Sequence, residues 1–270
     1  GTALAGCASK SEKRDYTQEP SLGTSLHFDG QRRRVWMTHN DGTARVTYFH
    51  IGKKGWYEVE AIEGHGYGMV AGKTVIGLAH ETGFFVTRIE DAEDTFRRLP
   101  VEVPIGPPTQ LGERWVYPGK TGFWQSFDEG AHFEKLGGLE IGAMVDRASI
   151  AYGLAKKDIS PYARAALGPT YTYLLVPGEI AAFDGKAWKI HPLPCKKPTA
   201  AVVDPNREEF LVVGCGEGGV WRSTNAGRSF FSWGLQNALV NDVVRLKDGS
   251  GVLVATEALL FGEGVFQRKF

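Results

Sequence analysis

Histidines and carboxylates gather at a few points along this 270-residue chain, and they are the first groups to weigh for chemistry. His39 is followed by Asn40 and Asp41, and His80 by Glu81 and Thr82, with Glu63, His65 and Tyr67 between the two groups. A pair such as Asp41 and Glu81 could act as general acid and base on a glycosidic bond if the fold brought the carboxyl groups together. His39, His65 and His80 could bind a metal ion on the same condition. Neither set has the local spacing of a catalytic or metal motif, so polar loop residues at a wet rim are the simpler expectation. No metal motif, phosphate loop or nucleophile elbow stands elsewhere, and Gly216-Glu217-Gly218-Gly219 reads as a strand turn because no helix follows it. No metal and no cofactor is expected.

Composition narrows the elements that could position such groups. Thirty-five Gly and seven Trp against three Met favour turns and strands over long helices. Lys plus Arg equals Asp plus Glu, so the chain offers no general attraction to nucleic acid. No apolar run reaches the roughly eighteen residues that a spanning helix needs. The run Arg32-Arg33-Arg34 fits a solvated strand edge that resists edge pairing. Trp36, Trp115, Trp124 and Trp221 fit packing positions between sheets better than sugar-stacking ones.

The elements repeat. Short apolar runs at 35–38, 74–79, 114–117, 171–176, 210–214 and 251–256 each precede a glycine or turn, a further strand and an aromatic ring. The rings are Trp56, Phe96, Phe133, Trp188, Phe230 and Phe266, spaced 36 to 42 residues apart except for one interval of 55. The sharpest copy is Ser223, Asn225, Gly227, Ser229 and Phe230, at the spacing S-x-D-x-G-x-[ST]-[WF] with Asn for Asp. Short Ser and Asn side chains can bond back to a turn's own amides, and Gly supplies positive φ cheaply. Ser126, Asp128, Gly130 and Phe133 form a second copy with His132 in the Ser/Thr place. Asp91, Thr95 and Phe96 form a third that has lost its Ser and Gly.

These hairpins resemble the Asp-box (BNR) repeats of β-propeller proteins. The resemblance implies an all-β propeller, of six four-stranded blades with seven as the alternative. The blades would span 24–62, 66–103, 108–140, 146–194, 198–236 and 240–270, within a single domain at 24–270. The long interval calls for an insertion at 154–169, where Ser160 as N-cap, Pro161 at the first turn and Gly168 at the end make a short helix plausible. In such blades the turns between second and third strands share a face with the links between blades. That face would carry His39 to Asp41, His80 to Thr82, 117–120, 176–179, Glu217 and Glu257.

Sialidases share box and blade, but they gather three arginines on the substrate and carry a Phe/Tyr-Arg-Ile-Pro segment. Arg88-Ile89-Glu90 comes nearest here and lacks both the aromatic residue and the Pro. The chain looks like the non-enzymatic branch, such as photosystem-assembly-type or sortilin-like propellers, which use the disc as a docking platform. The expected function is therefore a non-catalytic propeller that docks a protein partner in the cell envelope, monomeric by itself, as an assembly factor, scaffold or inhibitor subunit. The alternative is a carbohydrate-active enzyme, a sialidase-like hydrolase or lyase, working at the His and carboxylate face through Asp41, Glu81, His39 and His80.

The N-terminus supplies an address. Leu4-Ala5-Gly6-Cys7 resembles a bacterial lipoprotein signal-peptidase site, which would make 1–7 the end of a signal peptide and Cys7 the lipidated residue. Residues 8–23 read as a polar tether. With Ala8 after the cysteine, the resemblance implies the periplasmic side of the outer membrane in a diderm bacterium. Cys195 and Cys215 flank a hairpin turning at Asp204-Pro205-Asn206, which would bring both to one end as a disulfide. Two separate buried thiols are the other reading.

Overall fold

In a computed structural model of the chain, the described residues are 25–29, 34–40, 43–50, 56–89, 96–153, 155, 163–246, 250–257 and 264–269. Positions 1–7 and 8–23 lie outside them. Every sheet is antiparallel with its strands in chain order. The first holds Ser25–Asp29, Arg34–Asn40, Thr43–His50 and Trp56–Glu63, and the second Gly66–Ala71, Val75–His80, Gly83–Arg88 and Arg97–Arg98. Thr109–Leu111, Arg114–Gly119, Gly122–Ser126 and Glu134–Leu136 make the third. The fourth is Arg164–Leu167, Thr172–Val176, Glu179–Phe183 and Trp188–Pro192, and the fifth Pro198–Asp204, Arg207–Cys215, Gly219–Ser223 and Phe231–Gly234. A last sheet has three strands, Leu239–Arg245, Gly251–Glu257 and Gly264–Lys269. First strands of successive sheets lie against one another from the first sheet to the last.

This is a β-propeller with five four-stranded blades rather than the six or seven expected. The faint sixth repeat lacks a fourth strand among the described residues, and the first strand pairs inside its own sheet instead of completing the last one. The weak ring at Phe266 now has a physical reading: it lies on the third and outermost strand of that sheet and is 46% exposed, so it does not tuck under a hairpin.

Successive blades share cores, and the strand pattern shows how. Thr172–Val176 is buried at all five positions. Leu174 and Val176 point toward the third blade, packing with Val116, Phe123 and Ala165. Tyr173 and Leu175 point toward the fifth, packing with Leu211, Val213 and Cys215. A period of two thus divides one apolar run between two interfaces, which is why the central strands read as continuous hydrophobic stretches. The third blade meets the second in the same way, through Phe84, Val86, Trp115 and Tyr117.

Of the stretch expected as a helical insertion, 154 and 156–162 lie outside the described residues and 164–167 is strand; the helix among the described residues lies earlier in the chain. Ile141–Tyr152 forms it, within the link between the third and fourth blades, and residues 164–167 are the first strand of the fourth blade. Its signal was the spacing Ile141, Met144, Val145 and Ala148, one apolar stripe that packs onto the core between those blades. Gly153 ends it at φ 63°. Ser160 and Pro161 lie outside the described residues. The long interval between rings belongs to this helical link.

Candidate functional site

Strand order puts the turns between second and third strands at one end of the blades, beside the links that join neighbouring blades. The contacts bear this out along the chain. Glu81 N–H donates to the His65 carbonyl at 2.9 Å, Ile105 to Pro118, Gly178 to Cys195 and Gly216 to Lys197. Links and turns therefore build one continuous surface.

At the second blade this surface holds His65, His80, Glu81 and Thr82. His80 is fully buried, packs edge-on against Phe85, and meets Thr82 Oγ1 through Nδ1 at 2.8 Å. The Thr82 amide donates to the same Nδ1 at 3.1 Å, which makes that nitrogen the acceptor there. Burial holds the His80 pKa below the usual histidine value, with Glu81 opposing it. Glu81 turns away and accepts the His65 amide at 3.0 Å through Oε1. Gly64 lets the two groups close in, because a Cβ there would sit 2.3 Å from Glu81 Oε1 and 3.1 Å from the His80 ring. In this blade His80 Nδ1 and Glu81 Oε1 are thus each engaged by a backbone amide, while His80 Nε2 is buried with no hydrogen-bond partner among the described residues. Asp41 lies outside the described residues, and of His39 only the strand position, paired with Arg45, is described. Among the described residues no three His, Cys, Asp or Glu side chains gather as a metal site.

Further round the face, charged groups are likewise tied to one another. Glu102 accepts the Thr121 amide at 2.9 Å, its hydroxyl at 2.8 Å and the Trp124 indole N–H at 2.6 Å. Arg147 on the helix donates twice to Glu179, at 2.9 and 2.7 Å, and Lys197 pairs with Glu217. The Gly142 amide fastens the helix to the Lys120 carbonyl at 2.9 Å. Outward from it stands Ile150, 84% exposed. Cys195 and Cys215 are joined in a buried disulfide with Cα atoms 5.9 Å apart, tying the link after the fourth blade to the end of the fifth blade's second strand.

The opposite end of the blades carries the two sharpest hairpins, and they share one hydrogen-bond plan. Ser126 Oγ accepts the amides of Gly130 (2.9 Å) and Asp128 (3.3 Å) and donates to Asp128 Oδ1. Ser223 Oγ does the same with Gly227, Asn225 and Asn225 Oδ1. Asp128 Oδ1 then accepts the His132 amide, and Asn225 Oδ1 the Ser229 amide. Both turns need left-handed backbone at two successive residues, Glu129 and Gly130 at 56° and 80°, Ala226 and Gly227 at 57° and 80°. Burial raises the Asp128 pKa, but hydrogen bonds from the His132 amide and ring and from Ser126 outweigh it and hold the carboxyl at about 2. Phe133 wedges between Phe84 and Tyr117, with centroids 5.2 and 5.3 Å away, so this turn's ring seals the second blade to the third. Phe230 packs against the core between the fourth and fifth blades. Phe96 is buried in the core between the first two blades, and Asp91 and Thr95 lie outside the described residues. Cys7 lies outside them too.

Two carboxylates that bridge blades carry no sequence signal. Glu129 accepts the Lys73 and Thr74 amides and the Thr74 hydroxyl of the preceding blade, and Glu208 accepts the Thr170 and Tyr171 amides. Their partners are 37 to 56 residues away, so no local spacing marks them.

No protein-family model and no curated protein sequence matches the chain. Solved structures do, at the level of fold. The extracellular domain of a putative one component system from B. thetaiotaomicron superposes with a TM-score of 0.61 at 12% identity, over 94% of this chain and 35% of that one. This chain therefore spans about a third of that protein. YCF48 bound to D1 peptide gives a TM-score of 0.59 at 14% identity, over 88% of this chain and 77% of that one. A computationally designed protein, Ika8, gives 0.53 at 16% identity, over 86% and 67%. All are similar in fold alone.

Proposed function

We propose that the chain is a non-catalytic propeller that docks a protein partner through the face built from links, second-to-third-strand turns and the helix 141–152. The observation that carries this reading is the fate of the second-blade pair. His80 is buried with its ring packed on Phe85, and Glu81 accepts a backbone amide, so neither is poised on a substrate. The Arg147–Glu179 pair lies one helical turn from the exposed Ile150, so this face sets an apolar side chain beside tied charges, a mixture suited to docking. The fold likeness to YCF48 bound to D1 peptide, and to the extracellular domain of a one component system, supports the same reading.

The finer parts of the proposal are an Asp-box propeller, export, lipidation at Cys7 and residence on the periplasmic side of the outer membrane. Support for export comes from the lipobox-like Leu4 to Cys7 and from the Cys195–Cys215 disulfide, a bond that persists in oxidising compartments. The test is a pull-down from envelope membranes of cells producing the protein, read by mass spectrometry of bait and prey. A stoichiometric partner, lost on Ile150→Asp, and an acylated Cys7 are expected. No partner with either bait would overturn docking, and an unmodified Cys7 would overturn the address. The carbohydrate-active alternative predicts glycan hydrolysis that disappears with Glu81→Gln.

A further inference from the structure

A cleft of about 430 Å³ opens at the end of the fifth blade away from the docking face, lined by Arg207, Glu209, Phe210, Arg222 and Thr224. The hairpin plan explains why these side chains meet. Arg222 lies opposite Val212 across the ladder, so Phe210 and Thr224, two residues further along each strand, share its side of the sheet. The Phe210 ring then forms the floor, with the Arg207 guanidinium 4.8 Å from its centroid and that of Arg222 at 5.7 Å. Arg222 also sits 5.8 Å from the Trp233 ring, held between two aromatic faces.

The charges in the cleft are unevenly spent. Arg207 Nε donates to Asp204 Oδ2 at 2.9 Å, and that carboxylate is almost wholly buried, so this cation is largely balanced. Arg222 Nε is buried and has no hydrogen-bond partner among the described residues. That nitrogen is shielded beside the two rings, so the terminal guanidinium nitrogens are the donors that Arg222 presents to the cleft. Glu208 directs its carboxylate to the fourth blade, whereas Glu209 faces the cleft. The lining thus offers guanidinium donors, one carboxylate acceptor, a hydroxyl and an aromatic floor, in a volume typical of small-molecule sites.

We propose that this cleft binds a small carboxylic acid carrying an adjacent amino or hydroxyl donor, an amino acid or 2-hydroxy acid. Its carboxylate takes the terminal N–H groups of Arg222, with Arg207 flanking, and its amino or hydroxyl group donates to Glu209. The site is separate from the docking face, and its test does not depend on any partner being found.

The experiment titrates the full chain with serine, lactate, acetate and inorganic phosphate while following arginine Nε–H signals by NMR. Serine and lactate should shift the Arg222 signal saturably, with dissociation constants at least tenfold below that of acetate, which has no donor. Arg222→Gln should abolish the shift at the remaining arginine, and Glu209→Gln on the rim should weaken serine at least tenfold while leaving folding unchanged. Absence of saturable shifts with every probe would overturn the proposal. So would acetate or phosphate binding as tightly as serine, or serine binding unaltered by Glu209→Gln.

Discussion

Ser223→Ala is the sharpest test of what holds the blades' hairpins. Ser223 is fully buried, and its hydroxyl serves three partners: the Gly227 amide at 2.9 Å, the Asn225 amide at 3.3 Å and Asn225 Oδ1 at 3.1 Å. Removing the oxygen leaves the Gly227 N–H buried without an acceptor, a loss of about 1–3 kcal/mol. The 3.3 Å contact is weak, and the Asn225 carbonyl keeps the Ser229 amide at 3.0 Å, so the middle of that range, about 2 kcal/mol, is expected. For a chain of this size that corresponds to a fall in melting temperature of roughly 4–8 °C. Ser229→Ala is the control, because Ser229 is exposed and its hydroxyl only accepts from Asn225 Nδ2; it should cost less than about 0.5 kcal/mol. Urea unfolding of both variants gives the comparison. If Ser223→Ala costs no more than Ser229→Ala, the hydroxyl does not organise the hairpin and the reasoning fails.

Three further outcomes follow from the same geometry. Asp128 has a folded pKa of about 2 against roughly 3.9 unfolded, so its contribution is complete above about pH 4 and is lost as pH falls through 2. Because the side chain is 45% exposed, solvent screening reduces that contribution to roughly 1 kcal/mol. The stability gap between wild type and Asp128→Asn should hold at pH 5 and above and narrow at pH 2.5, and a gap that ignores pH would refute it. Replacing Cys195 and Cys215 by Ala opens a loop 20 residues apart in sequence and should cost roughly 3 kcal/mol, whereas a reductant that leaves the wild-type melt unmoved argues against the bond. Gly219→Ala should destabilise far more than Gly112→Ala in thermal melts, since a Cβ at Gly219 would lie 2.3 Å from the Leu235 carbonyl oxygen and at Gly112 meets nothing.

What was legible in the sequence depended on locality. The hairpin at Ser223 to Phe230 could be read because every partner lies within a few residues, and its spacing is the hydrogen-bond plan itself. The expected stretch at 198–236 encloses the sheet Pro198–Gly234 for the same reason: strand, turn and ring follow in chain order. The helix 141–152 went unread because its stripe Ile141, Met144, Val145 and Ala148 has no capping side chain at Glu140 to announce it. His80 and Glu81 were placed on the correct turn, but sequence could not show that a buried ring and a backbone amide would occupy them. The cleft at Arg222 was invisible, since it joins strands through ladder register rather than through any motif.

The sharing of one strand between two cores sets how the molecule comes apart. A blade whose second strand serves both neighbours cannot loosen alone, so disruption must travel sideways from one interface to the next, as in a row of stacked tiles. The three-stranded sheet shares a core with the fifth blade through Val240, Val243, Val252 and Val254. Among the described residues no core cluster joins it to a further sheet, whereas the fourth and fifth blades share cores on both sides and are joined by the disulfide, so they become the last to yield. Amides on Leu174 and Val213 should accordingly outlast those on Val254 in hydrogen exchange, a gradient running along the ring rather than from surface to centre.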